Sequence, residues 1–453
     1  MSKKMNKITQ WLLTIAILIA TTSCKKYLDE KSDKKLVVPS SLKDVQALLD
    51  DYPRMSQSDI IAQEISADDY WLTDKTFNTY KAQQRMYLWQ KDFIFDPGYN
   101  DWSRNYAIVY TANTVLEYTA TVPQDDFNRA EWGNVTGQAF YHRGKSFLDI
   151  AATWAVAYDP SSAATTQGIP LRLNTQFNEP SVRASLQTTF DQVIGDLKNA
   201  IRLLPEVPLT PLRPSKPAAY GMLARTYWYM GNYDQAGLYA DSCLQLNSQL
   251  INYNAIDSTM AYPFRAFNEE VISVHTFAKG VLYNFNAKID SVLYGLYSGN
   301  DLRKTLFFTT NADGTAGFRG SYFGSQSFQH GIATDEMYLI RTEAFARAGN
   351  LTAALSDLNN LLITRWKTGT YVPYNTTNLG LLLETILQER RKELLMRGLR
   401  WMDVKRLNRE GKNITMQRVI KNIVYTLPPN DKRYAMSIPE DVITLSGISQ
   451  NPR

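Results

Sequence analysis

Two cysteines among 453 residues cannot staple a fold of this size, and three histidines leave little for metal chemistry. His142, His275 and His330 are far apart in the chain, and no pair has the i, i+4 spacing that seats zinc on one helix face, so they read as structural or surface groups. Past the first twenty residues no apolar run approaches membrane-spanning length. There is no Gly-x-Ser-x-Gly elbow, and Cys243 has no histidine near it in sequence, so nucleophilic catalysis lacks a visible carrier. The glycine run Gly314, Gly317, Gly320 and Gly324 lacks the Lys-Ser/Thr ending of a phosphate cradle and reads as a mobile loop bearing Phe318, Tyr322 and Phe323. Charge of one sign is also scarce. The formal net charge is +5, and Lys3, Lys4 and Lys7 supply three of those positive charges, so nucleic acid is not implied as a partner.

What the chain does have begins at its start. Lys3, Lys4 and Lys7 precede the apolar run Trp11 to Ala20, and Thr21, Thr22 and Ser23 lead to Cys24. Basic, apolar, then small residues is the order of a secretory leader, about half as long as a membrane-spanning helix. A cysteine at its end points to cleavage after residue 23 and lipid attachment at Cys24, although Thr21 stands where a larger aliphatic residue is usual. An ordinary leader beside a chance cysteine is the alternative. With Cys24 lipidated, Cys243 has no disulfide partner and is expected in the core. Residues 24–35 form a charged tether ahead of a body over 36–453.

Ser41 stands three residues before Asp44, with Val45, Leu48 and Leu49 at helical spacing, which predicts a helix. Residues 68–102 have poor periodicity and dense aromatics and read as loops and short helices without strands. From Ala219, Tyr220, Leu223, Ala224 and Tyr227 share a helix face. A turn follows at Gly231-Asn232-Tyr233, and Ala236, Ala240 and Cys243 come next. Tyr338, Phe345, Gly349-Asn350-Leu351, Ala354, Leu358 and Leu361 repeat that order. Large residues on one helix facing small ones on the next make a tetratricopeptide pattern, so the expected fold class is all-α, a tetratricopeptide-like repeat scaffold. Units are expected near 139–204, 216–247, 335–365 and 381–407. Residues 252–330 show no sustained period and are too long for a structureless loop, so they should form an irregular layer of loops, short helices and a hairpin that carries binding.

Aromatics are abundant, at 12% with 27 Tyr and 9 Trp. Adjacent carboxylates Asp68-Asp69 and Glu269-Glu270 usually point apart and read as solvated surface charge. Asp68 and Asp69 beside Tyr70 and Trp71 could instead bond a sugar's hydroxyls while the rings cover its apolar face. The candidate ligand-binding set is Asp68, Asp69, Trp71, Trp89, Tyr283, Arg319, Tyr322 and Phe323, with core packing as the alternative for each ring. No catalytic residue, metal ligand or cofactor is assigned, and a structural calcium is left open.

Several tracts resemble one family. Ser23-Cys24-Lys25-Lys26-Tyr27-Leu28-Asp29 looks like its start, and Asn105-Tyr106-Ala107-Ile108 with Ala112-Asn113 looks like an early helix. Glu389-Arg390-Arg391-Lys392-Glu393-Leu394 leading into Gly398-Leu399-Arg400-Trp401-Met402-Asp403-Val404-Lys405-Arg406 is the most specific match, and its charges also read as ion pairs along helix faces. Ser437-Ile438-Pro439 and Gln450-Asn451-Pro452 resemble the closing motif, though Arg453 ends the chain where members commonly continue. The chain thus resembles the SusD/RagB family of Bacteroidetes surface lipoproteins. The resemblance implies an outer-membrane, lipid-anchored protein facing the exterior, a lid for a SusC-like TonB-dependent transporter. It would capture nutrient, an oligosaccharide or a peptide, without altering it. A scaffold binding peptides in its tetratricopeptide groove is the second reading, and a surface hydrolase the third.

Overall fold

The computed structural model describes residues 39–453 except Ser58, Ala278 and Lys279, so the leader, Cys24 and the tether lie outside the described residues. The chain divides into residues 1–44 and one unit over 45–453. The helix expected after Ser41 spans Leu42–Leu49. Ser41 Oγ accepts the Asp44 N–H at 3.2 Å, which satisfies one orphan donor of the first turn, and the Asp44 carboxylate reaches back to accept the Ser40 N–H at 2.9 Å.

Nine longer helices build the main unit: α1 (Asp101–Thr121), α2 (Arg129–Trp154), α3 (Leu186–Leu203), α4 (Lys216–Met230), α5 (Tyr233–Leu246), α6 (Thr334–Arg347), α7 (Leu351–Ile363), α8 (Leu379–Glu393) and α9 (Arg400–Arg409). Local sequence sets several ends. Asn100 and Ser103 form a reciprocal capping box on α1. The α4–α5 and α6–α7 turns are built alike: Gly231 and Gly349 take φ of 78° and 77°, and Asn232 and Asn350 each cap the next helix through a 3.2 Å bond. Repeated Gly-Asn pairs therefore encode repeated helical hairpins, as the tetratricopeptide pattern predicted.

Small residues let the helices stack. A Cβ on Gly144 of α2 would sit 3.1 Å from Asp196 of α3, and one on Gly237 of α5 would sit 2.7 Å from Ala344 of α6. The second contact joins the two Gly-Asn hairpins directly, although the whole 252–330 stretch separates them in sequence. Cys243 is fully buried here, its thiol 3.2 Å from the Pro217 carbonyl.

Residues 252–330 make a second layer with its own core, in which Tyr253, Phe264, Phe277, Phe307, Phe308, Phe318 and Phe328 pack with Tyr70, Phe77 and Tyr87. Short segments bury little area each, and large rings compensate, which accounts for much of the aromatic excess. The expected hairpin is Phe308–Thr310 with Ala316–Phe318. Two expectations need correction. Residues 68–102 are not free of strand, since Tyr70–Trp71 pairs with Lys288–Ile289. The middle of the glycine run is packed and not a loose loop: a Cβ on Gly317 would lie 1.9 Å from the Asn284 carbonyl, and one on Gly320 would meet Phe307 at 2.6 Å, whereas Gly314 has open space.

Candidate ligand-binding site

Alternation along the two-residue strand decides the first site residue. Tyr70 points inward and is buried, and Trp71 points outward with 41% of its surface exposed. The main chain around Trp71 is tied on every side. Asp290 N–H donates to the Asp69 carbonyl at 2.9 Å, Leu72 N–H donates to Tyr87 Oη at 2.9 Å, and Arg418 donates to the carbonyls of Ala67 and Tyr70. Arg418 is itself enclosed by the rings of Tyr70, Tyr87 and Trp89, at 5.0, 4.3 and 5.2 Å.

That enclosure corrects the reading of Trp89 as a ring platform. It is 3% exposed, holds Arg418 on its face and donates Nε1–H to the Ser66 carbonyl at 2.9 Å. Tyr322 is likewise a core residue, 2% exposed, its hydroxyl on Tyr253 and Glu270. Asp68 and Asp69 are not solvated charges but are spent on arginines. Arg400 makes two bonds to Asp68 at 2.7 and 3.0 Å, and Arg391 donates to Asp69 at 2.8 Å. Burial alone would raise the Asp68 carboxyl, but Arg400 and then Arg391 hold it well below the carboxylate range. Glu270 is also fully buried, against Arg365, which corrects its reading as surface charge, whereas Glu269 is exposed beside Arg265 as expected, so the two neighbours do point apart. Arg319 spends its guanidinium on the carbonyls of Met260, Ser258 and Thr305. Phe323 is half-buried beside Phe267, away from Trp71. Tyr283 stacks on Phe285 at 5.4 Å, and the Asn284 between them presses on Gly317.

Trp71 opens onto a cleft of about 440 Å³ lined also by Ile289, Ser291, Tyr294, Thr310, Thr315 and Ala316. The strand pair Tyr70–Trp71/Lys288–Ile289 and the 308–318 hairpin bring these together. Tyr294 is held edge-on by Phe308 at 5.1 Å, with the Lys304 ammonium 5.0 Å from its ring centre. Lys288 pairs with Asp313 at 3.0 Å at the edge. Two rings, four hydroxyls counting that of Tyr294, and no carboxylate in the lining make a surface suited to stacking and hydrogen bonding. Sequence reasoning named Trp71 and missed Tyr294 and Arg418, because nothing local ties either one to residue 71.

Two family models cover most of the chain: one described as starch-binding and associating with the outer membrane matches residues 26–228, and one described as the SusD family matches 321–451. The chain belongs to the SusD/RagB family. Solved structures carry the same fold over about nine tenths of this chain. A SusD superfamily protein from Bacteroides thetaiotaomicron aligns with a TM-score of 0.75 at 19% identity over 91% of this chain and 100% of its own. A SusD-like carbohydrate binding protein from Bacteroides vulgatus gives 0.68 at 19% over 90% and 97%, and a laminarin binding SusD-like protein gives 0.66 at 16% over 90% and 98%. No curated protein matches the sequence significantly.

In this SusD/RagB chain the family-like tract 389–406 works as an anchor. Lys392 does pair along its helix with Glu389 at 2.8 Å, but most of the charges expected along helix faces reach across the fold. Arg391 and Arg400 hold Asp69 and Asp68, Arg390 holds Asp403, Glu393 joins Arg303 and Arg365, and Arg406 joins Glu343. The tract therefore fixes the strand that presents Trp71.

The three histidines, distant in sequence, converge in the core. His142 and His275 lie 5.7 Å apart, His275 is 3.7 Å from Asp59, and His330 is 3.5 Å from Asp149. Burial first, and then neighbouring positive charge, pushes His142 well down and His275 down to about 4. Asp59, Asp149 and His330 are close enough together to hold a cation, but the Lys145 ammonium already sits 2.8 and 2.7 Å from the two carboxylates. Glu270, Asp335 and Glu393 are likewise compensated by Arg365, Arg397 and Arg303.

Among the described residues, no helix is long and apolar enough to cross a membrane.

Proposed function

We propose that this protein captures a glycan at the Trp71 cleft without transforming it, as the lid of a SusC-like TonB-dependent outer-membrane transporter. The observation that carries the reading is the exposed Trp71 ring, fixed by its strand and lining, with Tyr294, a cleft edged with the hydroxyls of Ser291, Thr310 and Thr315. A pyranose offers one apolar face to such a ring and hydroxyls to its rim. The carbohydrate- and laminarin-binding neighbours support the same class of ligand. Glycoside hydrolysis needs two facing carboxylates, and the cleft lining supplies none, which favours capture over turnover. Residues 1–23 act as the leader, Cys24 bears the lipid, and the body faces the cell exterior; the outer-membrane association in the family description supports this placement.

A second reading, peptide capture, draws on a different cleft. Tyr110 and the exposed Phe177 stack at 5.0 Å beside about 360 Å³ of largely apolar space along α1, which suits an apolar side chain.

Calorimetry of the purified protein against laminarin, starch and short peptides separates the two. Heat from a glycan, weakened about tenfold or more in Trp71→Ala, is the expected result; the loss corresponds to about 1.4 kcal/mol. Heat from peptides alone would replace the glycan reading with the second one.

A further inference from the structure

A cleft of about 610 Å³, lined by residues between Gln249 and Glu269, lies outside the Trp71 site. Its walls are fixed from behind. Arg319 donates to the carbonyls of Met260 at 2.9 Å and Ser258 at 2.8 Å, and to that of Thr305 at 2.8 Å. Across the cleft, the Ile251 N–H donates to Glu270 at 2.7 Å and the Ile251 carbonyl accepts from Arg365 at 3.0 Å, so one buried ion pair grips both main-chain groups. The Asn268 side chain donates to the Arg265 carbonyl at 3.0 Å. Walls that need no ordering on binding leave more of the contact energy as affinity.

The lining narrows the ligand. Ile256, Met260 and Tyr262 supply apolar faces, and Asn252, Asp257 and Glu269 alternate with them. Arg265 also lines the cleft, 4.0 Å from Glu269, and Asp257 adds a further negative charge, so the lining does not favour a polyanion, and so polar a lining suits no lipid tail. A neutral, polyhydroxylated ring matches the mixture. The cleft is also mechanically joined to the first. Ala316 lines the Trp71 cleft, and Arg319, the strut of this one, follows three residues later, about 10 Å of extended chain.

We propose that this cleft is a second glycan subsite, filled by the same oligosaccharide chain that Trp71 holds, with Arg319 as the positioning residue that ties the two together. The proposal rests on the glycan reading of the Trp71 cleft.

The test is calorimetry of the full protein with size series of laminarin and starch oligosaccharides, from disaccharides upward, read alongside amide hydrogen exchange. Two linked contacts should raise affinity at least about tenfold from the shortest to the longest sugar. Tyr262→Ala and Met260→Asp should abolish that gain and leave short-sugar affinity unchanged, whereas Trp71→Ala should weaken short and long sugars alike. Arg319→Lys, which cannot reach three carbonyls, should lose part of the gain and leave 257–260 less protected from exchange. Long sugars, and not short ones, should protect residues 249–257. Length-independent affinity, or a gain that survives in Tyr262→Ala, would overturn this proposal and leave the Trp71 reading intact. Absence of binding at every length in both series would overturn both.

Discussion

Arg365 donates to both carboxylate oxygens of Glu270, at 2.8 and 3.0 Å, and neither side chain is exposed to solvent. The same guanidinium reaches Glu393 at 2.8 Å and lies 4.2 Å from the Tyr253 ring centre. Removing it leaves two carboxylates in the core with part of their compensation gone. Breaking a buried pair from one side costs about 3–5 kcal/mol. Arg365→Met should therefore lower the unfolding free energy from urea titration by that amount, and the double variant Arg365→Met/Glu270→Gln should recover part of it. A loss below about 1 kcal/mol would show that the pair is dispensable.

Glu64 gives the protein a pH dependence. Its Oε2 accepts the Gly398 N–H at 2.8 Å, and Oε1 has no partner. Burial, and next the nearby Asp69 carboxylate, pushes its carboxyl up to about 8 from an ordinary 4.5. Between those values the folded chain holds a proton that the unfolded chain has released, so stability falls as pH rises through that window. The expected size is on the order of a few kcal/mol. His275, pushed down to about 4 mainly by burial, gives the opposite slope below its ordinary 6.5, and that slope is common to wild type and variant. Urea midpoints of wild type and Glu64→Gln should agree at low pH and diverge toward about pH 8, the variant being the more stable. Parallel curves would rule this out.

Gly317 is required for close approach, with backbone on both sides. A Cβ there would overlap the Asn284 carbonyl at 1.9 Å, and no side chain can yield to relieve it. Gly317→Ala should push the Tyr283–Phe285 segment off the 308–318 hairpin, cost about 1–3 kcal/mol and weaken binding at the adjoining cleft. Gly314, with open space around its Cβ position, is the control, although its φ of 77° adds local strain. Equal thermal midpoints for wild type and Gly317→Ala would refute the packing argument.

The proposed lipid attachment at Cys24 has a direct readout. In cells expressing the full chain, Cys24→Ala should abolish incorporation of labelled fatty acid and release the protein from the membrane fraction. Cys243→Ala should leave both unchanged, because the Cys243 thiol is buried and burial raises it far above its ordinary range. Membrane retention of the Cys24 variant would point to another anchor.

Local chemistry carried the reading wherever it is written in consecutive residues. Gly231-Asn232 and Gly349-Asn350 each combine a left-handed helix end with a cap for the next helix, so the repeated hairpins were legible, and with them the all-α class. Ser41 and Asp44 announced a helix start in the same way. The tracts at 105–113, 389–406 and 437–439 that resembled SusD/RagB proteins lie within the regions that the family models match, and those at 23–29 and 450–452 overlap their ends.

Charged and aromatic residues were misjudged because their partners come from elsewhere in the chain. Asp68 and Asp69 look like surface charge until Arg391 and Arg400 arrive from the far end of the sequence, and Trp89 looks available until Arg418 takes its face. The three histidines have no mutual spacing to read, yet they gather around Lys145, Asp59 and Asp149. The sequence by itself determined the helical hairpins, the leader-like start and the family resemblance, since each depends on neighbours within a turn or two. Only the tertiary structure decided which aromatic remains outside, because burial is set by what packs against a residue. Trp71 and Tyr70 are adjacent in the chain, and the pairing with Lys288–Ile289 turns one toward solvent and the other into the core.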